Sequence, residues 1–321
     1  MSARGHLRSY TSGVGSFLRG LVLWLTGRGW FRSLAEDSWV GRRVAGRFVA
    51  GASLDDAMEA ARRLDRTGIG AMLDRLGENV DSPAGASAAA DAYVRAVKRI
   101  HESDDLDCNL AVKLTQLGLD LGEDVCLENM ERVLEAAAAQ GTLVMIDMEA
   151  SEYVDRTLAV LGELRRRSQR VGVALQSMLH RTAEDVFALP EGTPVRMVKG
   201  AYLEPPEVAH QRRADVDRAF VRLTATLLSR GHPVHVATHD PRIVEGTKAF
   251  VRAGDLGWDR VEFQMLYGIR RDLQLALARE GYPVRTYIPY GSEWYPYLTR
   301  RLAERPANLW FFASNLVRIE R

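Results

Sequence analysis

Leu143-Val-Met-Ile-Asp-Met-Glu149 is an apolar run that ends in two carboxylates. Behind it lies Ser151–Arg167, a helical stretch ending in a cluster of arginines, and then Val171-Gly-Val-Ala-Leu-Gln176, a second apolar run ending in a polar side chain. A strand covered on both faces reads as a continuous apolar run, and two such strands joined through a helix must lie parallel. The arginines suit the negative end of the intervening helix. This unit predicts a parallel sheet wrapped in helices, with polar residues gathered where its strands end.

The same unit recurs in both directions. Upstream, Ser53-Leu-Asp-Asp56 has the form of a capping box, and Leu54, Ala57, Met58, Ala61 and Leu64 trace one helical face closed by Gly68. Ile69–Leu76 reads as a strand running into Gly77-Glu78. After a loop at Asp81–Ser87, a helix runs to about His101, Leu110–Leu114 is a strand carrying Lys113, and the helix Cys126–Gln140 stops at Gly141. Downstream, Thr182-Ala-Glu-Asp185 opens a helix, Val195–Lys199 is a strand leading into Gly200-Ala-Tyr202, and a helix covers about Pro206–Arg230. The strand Val234–Thr238 precedes Asp240-Pro241, an N-cap with a first-turn proline, and Gly254 closes that helix. Val261–Met265, the helix Arg270–Glu280, Val284–Ile288 and a final helix Tyr297–Arg305 complete the chain's rhythm, with Pro289–Trp294 read as a mobile lid before that helix.

Eight strands alternating with helices predict an α/β protein closed as a (βα)8 TIM barrel. An open doubly wound sheet is the alternative, but neither Gly13-Val-Gly15 nor Gly68-Ile-Gly70 completes a G-x-G-x-x-G fingerprint. In the final helix Tyr297, Arg300, Arg301 and Glu304 share one face, where a core-facing helix would place apolar residues. Two neighbouring guanidinium forks can grip a small carboxylate, and the phenol can wall a ring beside it. The same face also reads as a solvated one with Glu304 balancing Arg300. The functional reading places this helix over the barrel mouth.

Chemistry in such barrels collects at the C-terminal strand ends. This sequence puts Glu78, Lys113, Asp147, Gln176, Arg196 with Lys199, Thr238 with His239, Gln264 and Tyr287 there. Burying unpartnered charge costs several kcal/mol, so these residues need a ligand, one another, or both. Plainer readings exist for each: Lys113 pairing with Asp147, Asp147 or Glu149 capping the next helix, Arg196 in a structural ion pair, His239-Asp240 as a cap. Rival chemistries are a metal held by His232, His235, His239 and Asp240, and a Schiff base on Lys113 or Lys199. No H-x-H or H-x-x-E-H spacing supports a metal site, and acidic neighbours would raise rather than lower a lysine pKa.

The chain has 321 residues, 46% hydrophobic and 26% charged, the composition of a globular protein with ample core material. A net charge of +1 argues against nucleic acid as a partner. Cys108 and Cys126 lack metal-type spacing and point to a reducing, cytoplasmic setting. No run approaches the roughly 20 apolar residues that span a bilayer. Phe17–Leu34 mixes apolar residues with Arg19, Arg28 and Arg32, which leaves open a peripheral place on the inner face of the cell membrane.

Taken together, Leu76-Gly-Glu78, Val112-Lys113-Leu114, Ile146-Asp147-Met-Glu149, Arg196-Met-Val-Lys199-Gly-Ala-Tyr202, Thr238-His239-Asp240, Phe263-Gln-Met-Leu-Tyr267-Gly268 and Tyr297-Leu-Thr-Arg300-Arg301-Leu-Ala-Glu304 resemble the proline dehydrogenase family in its short, monofunctional bacterial form. The resemblance runs from about Arg47 to Asn308. It implies a distorted flavin-binding catalytic barrel over 47–308; residues 1–46 and the last dozen carry no such match and read as an N-terminal arm or helical segment and, over 309–321, a C-terminal tail. It further implies FAD bound without a Rossmann domain and oxidation of L-proline to Δ1-pyrroline-5-carboxylate. A quinone would take the electrons, and a pyrroline-5-carboxylate dehydrogenase would act downstream.

By the same resemblance, Arg300, Arg301 and Lys113 grip the proline carboxylate, while Tyr287, Tyr297 and Leu266 enclose its ring. Asp147 lies beside Lys113 and the amine, and Arg196 hydrogen-bonds the flavin N5. Met148, Gln176, Lys199, Gly200, Ala201, Thr238 and His239 hold the FAD. Glu78 is the gate, pairing with Arg300. An inactive proline-binding module at a membrane surface is the competing reading from outside enzymology.

Overall fold

In the computed structural model of the chain, residues 45–103 and 106–304 are described, apart from the side chains of Gln140 and of residues 300–304. The expectations for Phe17–Leu34, for most of the N-terminal arm and for the tail at 309–321 fall outside those residues. Eight strands close a parallel barrel in sequence order: β1 (Gly70–Arg75), β2 (Cys108–Val112), β3 (Val144–Ile146), β4 (Val171–Gln176), β5 (Val195–Val198), β6 (Val234–Ala237), β7 (Val261–Leu266) and β8 (Val284–Tyr290). Closure is made by β1 on β8, in register from Gly70 on Arg285 to Arg75 on Tyr290. The expected barrel is therefore the observed one.

Helices lie outside: α1 (Leu54–Asp65), α2 (Pro83–His101), α3 (Glu123–Gln140), α4 (Val154–Arg165), α5 (Thr182–Ala188), α6 (Arg213–Ser229), α7 (Pro241–Ala253) and α8 (Arg271–Arg279). Their inner faces and the outer faces of the strands form one large core in which Tyr93, Phe220 and Phe263 are fully buried. Truncating one such ring to alanine would cost about 3–5 kcal/mol through lost burial and a cavity. The capping box of α1 is present, with Asp56 N–H donating to Ser53 Oγ at 3.2 Å and Ser53 N–H to Asp56 Oδ2 at 3.0 Å. Asp240 caps α7, its side chain accepting from Arg242 N–H at 3.0 Å, with Pro241 as first residue.

The position of α1 decides where the last helix goes. It packs against both β1 and β8, the outer place that a helix following β8 would take. The final helix α9 (Trp294–Glu304) instead packs over the strand ends, where Tyr297 and Leu298 meet Ala45, Phe48, Val49 and Leu76 in a small separate core. The entering chain is sewn to β8 by Ala50 N–H to Pro289 O at 2.9 Å and Gly291 N–H to Gly51 O at 3.0 Å. It also crosses Gly268 so closely that a Cβ there would fall 1.7 Å from Arg47 O, and Gly268 has φ of +73°.

Several boundaries differ from the sequence reading, each for a local reason. Lys113 is not in β2 but caps a 3-10 turn, Leu114–Leu117, which ends at Gly118 with φ of +94°. Pro205-Pro206 belongs to the loop after β5, and α6 begins only at Arg213. Pro289 and Tyr290 are strand residues and Trp294 is already helical, so the lid assigned to Pro289–Trp294 shrinks to the link 291–293.

Candidate active site

Strand alternation turns Met72, Asp74, Ala111, Met145, Asp147, Arg196, Gln264 and Tyr287 into the barrel, and the strand ends open into a cavity of about 760 Å³. Every residue singled out above as catalytic, substrate-binding, cofactor-binding or gating whose side chain is described lines it. Glu78, Lys113 and Asp147 with Met148 come from the ends of β1, β2 and β3. Gln176, Arg196, and Lys199 with Gly200 and Ala201 come from β4 and β5. Thr238 with His239 follow β6, Leu266 ends β7, Tyr287 is on β8, and Tyr297 descends from α9. The backbone of α9 carries Arg300 and Arg301, whose side chains lie outside the described residues.

On the β1–β3 side the charges interlock. Lys113 Nζ donates to Asp74 Oδ1 at 2.5 Å and lies 3.5 Å from Asp147 Oδ2. Asp147 Oδ1 is bound by Arg196 Nη2, and Tyr287 Oη donates to Asp147 Oδ2 at 2.6 Å. Arg196 also stacks over the Tyr287 ring at 5.1 Å. Burial pulls the Lys113 ammonium down, but Asp74, Tyr93 and Glu78 outweigh it and hold the pKa above its ordinary value. A lysine so held favours the protonated form, which weighs against a Schiff-base role. Burial pushes the Tyr287 phenol well up, and the Asp74 carboxylate adds to that.

Asp74 was missing from the sequence-derived set. It is 1% exposed and is the closest partner of Lys113, ahead of the expected Asp147. Its signal was present: a lone charge inside Gly70-Ala-Met-Leu-Asp74, two residues from Met72 and so on the same inward face. The reading of Glu149 as a helix cap is also overturned. Its carboxylate accepts from Thr115 N–H at 3.3 Å and from Thr115 Oγ1–H at 2.7 Å.

The β4–β6 side is polar rather than interlocked. Gln176 Nε2 donates to Glu149 O at 2.8 Å, Lys199 pairs with Asp217, and His239 Nε2 accepts from Leu266 N–H at 3.0 Å. Gly200 has φ of +106°, and a Cβ there would fall 2.3 Å from Met178 Sδ, so the loop after β5 needs glycine. Gln264 Nε2 donates to Glu262 Oε1 at 2.8 Å and lies 2.7 Å from His235 Nδ1. Its Oε1, buried, has no hydrogen-bond partner among the described residues. His235 and His239 are thus each engaged by a neighbouring group rather than converging, and among the described residues no three metal-type ligands gather.

The comparisons with known proteins bear on this geometry. The sequence model of the proline dehydrogenase family matches residues 57–314. The chain is 43% identical over 283 residues to a proline dehydrogenase of Deinococcus radiodurans, covering 86% of this chain and 90% of that one. It is 35% identical over 294 residues to proline dehydrogenase 2 of Bacillus subtilis, covering 91% and 96%. Among solved structures, it resembles proline utilization A (PutA) from Bdellovibrio bacteriovorus inactivated by N-propargylglycine, with a TM-score of 0.76 and 25% identity. That likeness covers 82% of this chain but only 32% of the larger protein. A charged mouth on a closed (βα)8 barrel, matched over most of its length by enzymes of one kind, places the chain in the proline dehydrogenase family, enzymes that oxidise proline.

Proposed function

We propose that the chain oxidises L-proline to Δ1-pyrroline-5-carboxylate using FAD, with a quinone as the final electron acceptor. The observation that carries this reading is the division of one cavity into a charge-interlocked side and a polar side. Lys113, Asp74 and Asp147 face a space suited to a small zwitterion, and Gln176, Lys199, Thr238 and His239 line the rest. A volume of about 760 Å³ lies within the roughly 300–1,000 Å³ typical of small-molecule and cofactor sites. The residues also fit a flavin chemically. The buried, partnerless Gln264 Oε1 is an acceptor that a ring N–H or ribityl hydroxyl could satisfy, and Gly200 keeps the loop after β5 close.

In this reading FAD supplies the two-electron acceptor. Arg300, Arg301 and Lys113 hold the proline carboxylate, and Tyr287, Tyr297 and Leu266 enclose its ring. Arg196 would be the cation facing the flavin and would stabilise negative charge developing on it. Met148, Gln176, Lys199, Gly200, Ala201, Thr238 and His239 hold the cofactor. Asp147, anchored through both oxygens by Arg196 and Tyr287, orients the substrate amine next to Lys113. Glu78, on the loop above, closes the mouth. Residues 47–308 act as the catalytic unit, with residues 1–46 as an arm and 309–321 as a tail. A pyrroline-5-carboxylate dehydrogenase is the partner that consumes the product.

The chain's place is proposed as cytoplasmic, with peripheral membrane contact to reach the quinone. Among the described residues no helix is long and apolar enough to cross a membrane. The raised Lys113 pKa and the Lys199–Asp217 pair weigh against a lyase. Borohydride with a carbonyl substrate should trap neither lysine. The purified protein should be yellow, its visible flavin absorbance should bleach anaerobically with proline, and an added quinone should restore it. A colourless protein that ignores proline after loading with FAD would overturn the proposal.

A further inference from the structure

The loop between β1 and α2 carries Glu78 to the rim of the cavity. It turns at Asn79, whose φ of +53° is a left-handed conformation that asparagine accepts more readily than other non-glycine residues. What holds the turn in place is one buried residue of the neighbouring 3-10 turn. Thr115 Oγ1 accepts from the Asn79 N–H at 3.3 Å, and Thr115 O accepts from the Val80 N–H at 3.2 Å. Thr115 is fully buried and is fixed in turn by Glu149, whose two carboxylate oxygens take its hydroxyl at 2.7 Å and its N–H at 3.3 Å. A threonine hydroxyl has one proton to give and lone pairs to receive with. Giving the proton to Glu149 leaves Thr115 Oγ1 facing the Asn79 N–H as an acceptor, so the carboxylate dictates the direction of the whole chain of bonds. Glu149 is itself tied to the far side of the cavity, because its backbone oxygen receives the Gln176 amide at 2.8 Å.

We propose that Thr115 and Glu149 are positioning residues that set the Glu78 loop over the mouth and thereby tune proline affinity. This rests on the proline-oxidising reading above. Neither side chain is assigned contact with the reacting atoms, and both act through the placement of the loop backbone.

The test compares Thr115→Ser and Thr115→Val in the full chain loaded with FAD. Serine keeps the hydroxyl; valine keeps the shape and loses it. For Thr115→Val, KM for proline should rise about tenfold, the equivalent of one hydrogen bond, with kcat within about twofold and flavin absorbance unchanged. Thr115→Ser should match the parent. Hydrogen exchange at the Asn79 and Val80 amides should quicken about tenfold in the valine variant alone, a readout that needs no turnover. If the valine variant does not fold, Glu149→Gln takes its place, since it can accept from only one of the two Thr115 donors; KM and exchange should then rise about threefold. Equal KM and equal exchange across the variants would overturn the inference. Loss of kcat, KM and flavin content together would do the same by showing a merely structural role. Quickened exchange in the valine variant, with a parent that never bleaches with proline, would sink the proline reading and leave the loop anchor standing.

Discussion

At the base of the barrel Arg285 donates through Nε to both Glu262 oxygens at 2.9 Å, through Nη2 to Asp107 Oδ1 at 2.9 Å and through Nη1 to Ala71 O at 2.9 Å. At the mouth Arg196 gives one nitrogen to Asp147 but sets the other against Met72 Sδ, a weak acceptor, at 3.1 Å. Both guanidiniums are buried and both point inward from strands. Burial pulls the Arg285 pKa down, but Glu262 and Asp107 more than restore it; burial dominates for Arg196 and leaves its pKa below the ordinary value. Among the described residues the Arg285 guanidinium is thus fully partnered, while Arg196 keeps one nitrogen against a weak acceptor at the cavity. Under the proposed function the difference separates an arginine kept for stability from one kept for chemistry, although both stand in the same sheet.

Arg285→Met should break this comparison at its stable end. It leaves Glu262 and Asp107 facing no cation, and removing one partner of a buried pair costs about 3–5 kcal/mol. Urea unfolding of the FAD-loaded protein should show that loss, and an unmoved midpoint would mean the base is not a stability device. Arg196→Met should do the reverse. Asp147 keeps Tyr287 and has Lys113 at 3.5 Å, so the unfolding midpoint should hold while kcat falls about 10²–10³-fold, the typical loss of one preorganised charge stabiliser. Equal losses of stability in the two variants would erase the distinction. Tyr287→Phe should be smaller, since it removes the 2.6 Å bond to Asp147 and keeps the ring. About tenfold in kcat/KM for proline is expected, near 1.4 kcal/mol, and no change would place the phenol outside the site.

The mouth was more legible in the sequence than the base, for a physical reason. A polar residue that ends an apolar strand, as in Ile146-Asp147 or Met197-Val-Lys199, stands out because a barrel strand needs no charge there. Glu262 at the base lies near the start of β7, and Asp74, the mouth residue that was missed, lies inside β1; a single charge in either place is easily assigned to the solvent face. Only the register and the inward turn of β1 and β7 show otherwise. The alternation of elements predicted the closed barrel, since each strand announces itself locally. The placement of α9 was legible only in part: spacing showed that Tyr297, Arg300 and Arg301 share a face, but that the outer place beside β8 is taken by α1 is a fact of packing between residues more than 200 positions apart. Lys113 was assigned to a strand because Val112-Lys-Leu114 is apolar on both sides, and the turn that follows depends on the left-handed Gly118.

The smallest expected effect lies between the two extremes, at Glu149, which is buried beside the mouth and bonded to Thr115 but has no cation in direct contact among the described residues. Burial pushes its carboxyl above the ordinary value of 4.5, and the Thr115 bonds and the more distant Lys113 only partly offset this. A carboxyl with a raised folded-state pKa binds its proton more tightly in the native than in the unfolded chain, so stability falls as pH rises through the window between the two values. Below the unfolded value the residue adds no pH dependence, and above the raised folded value the burden is constant. Glu149→Gln cannot ionise, so the stability of the parent relative to this variant should decline with rising pH inside that window and then level off. Denaturant midpoints measured from acid to neutral pH would show it. A difference that stays flat would mean that burial does not disfavour the carboxylate, and one that rises with pH would mean that it is stabilised by charge as Glu262 is, moving Glu149 from the ligand end of the barrel to the structural one.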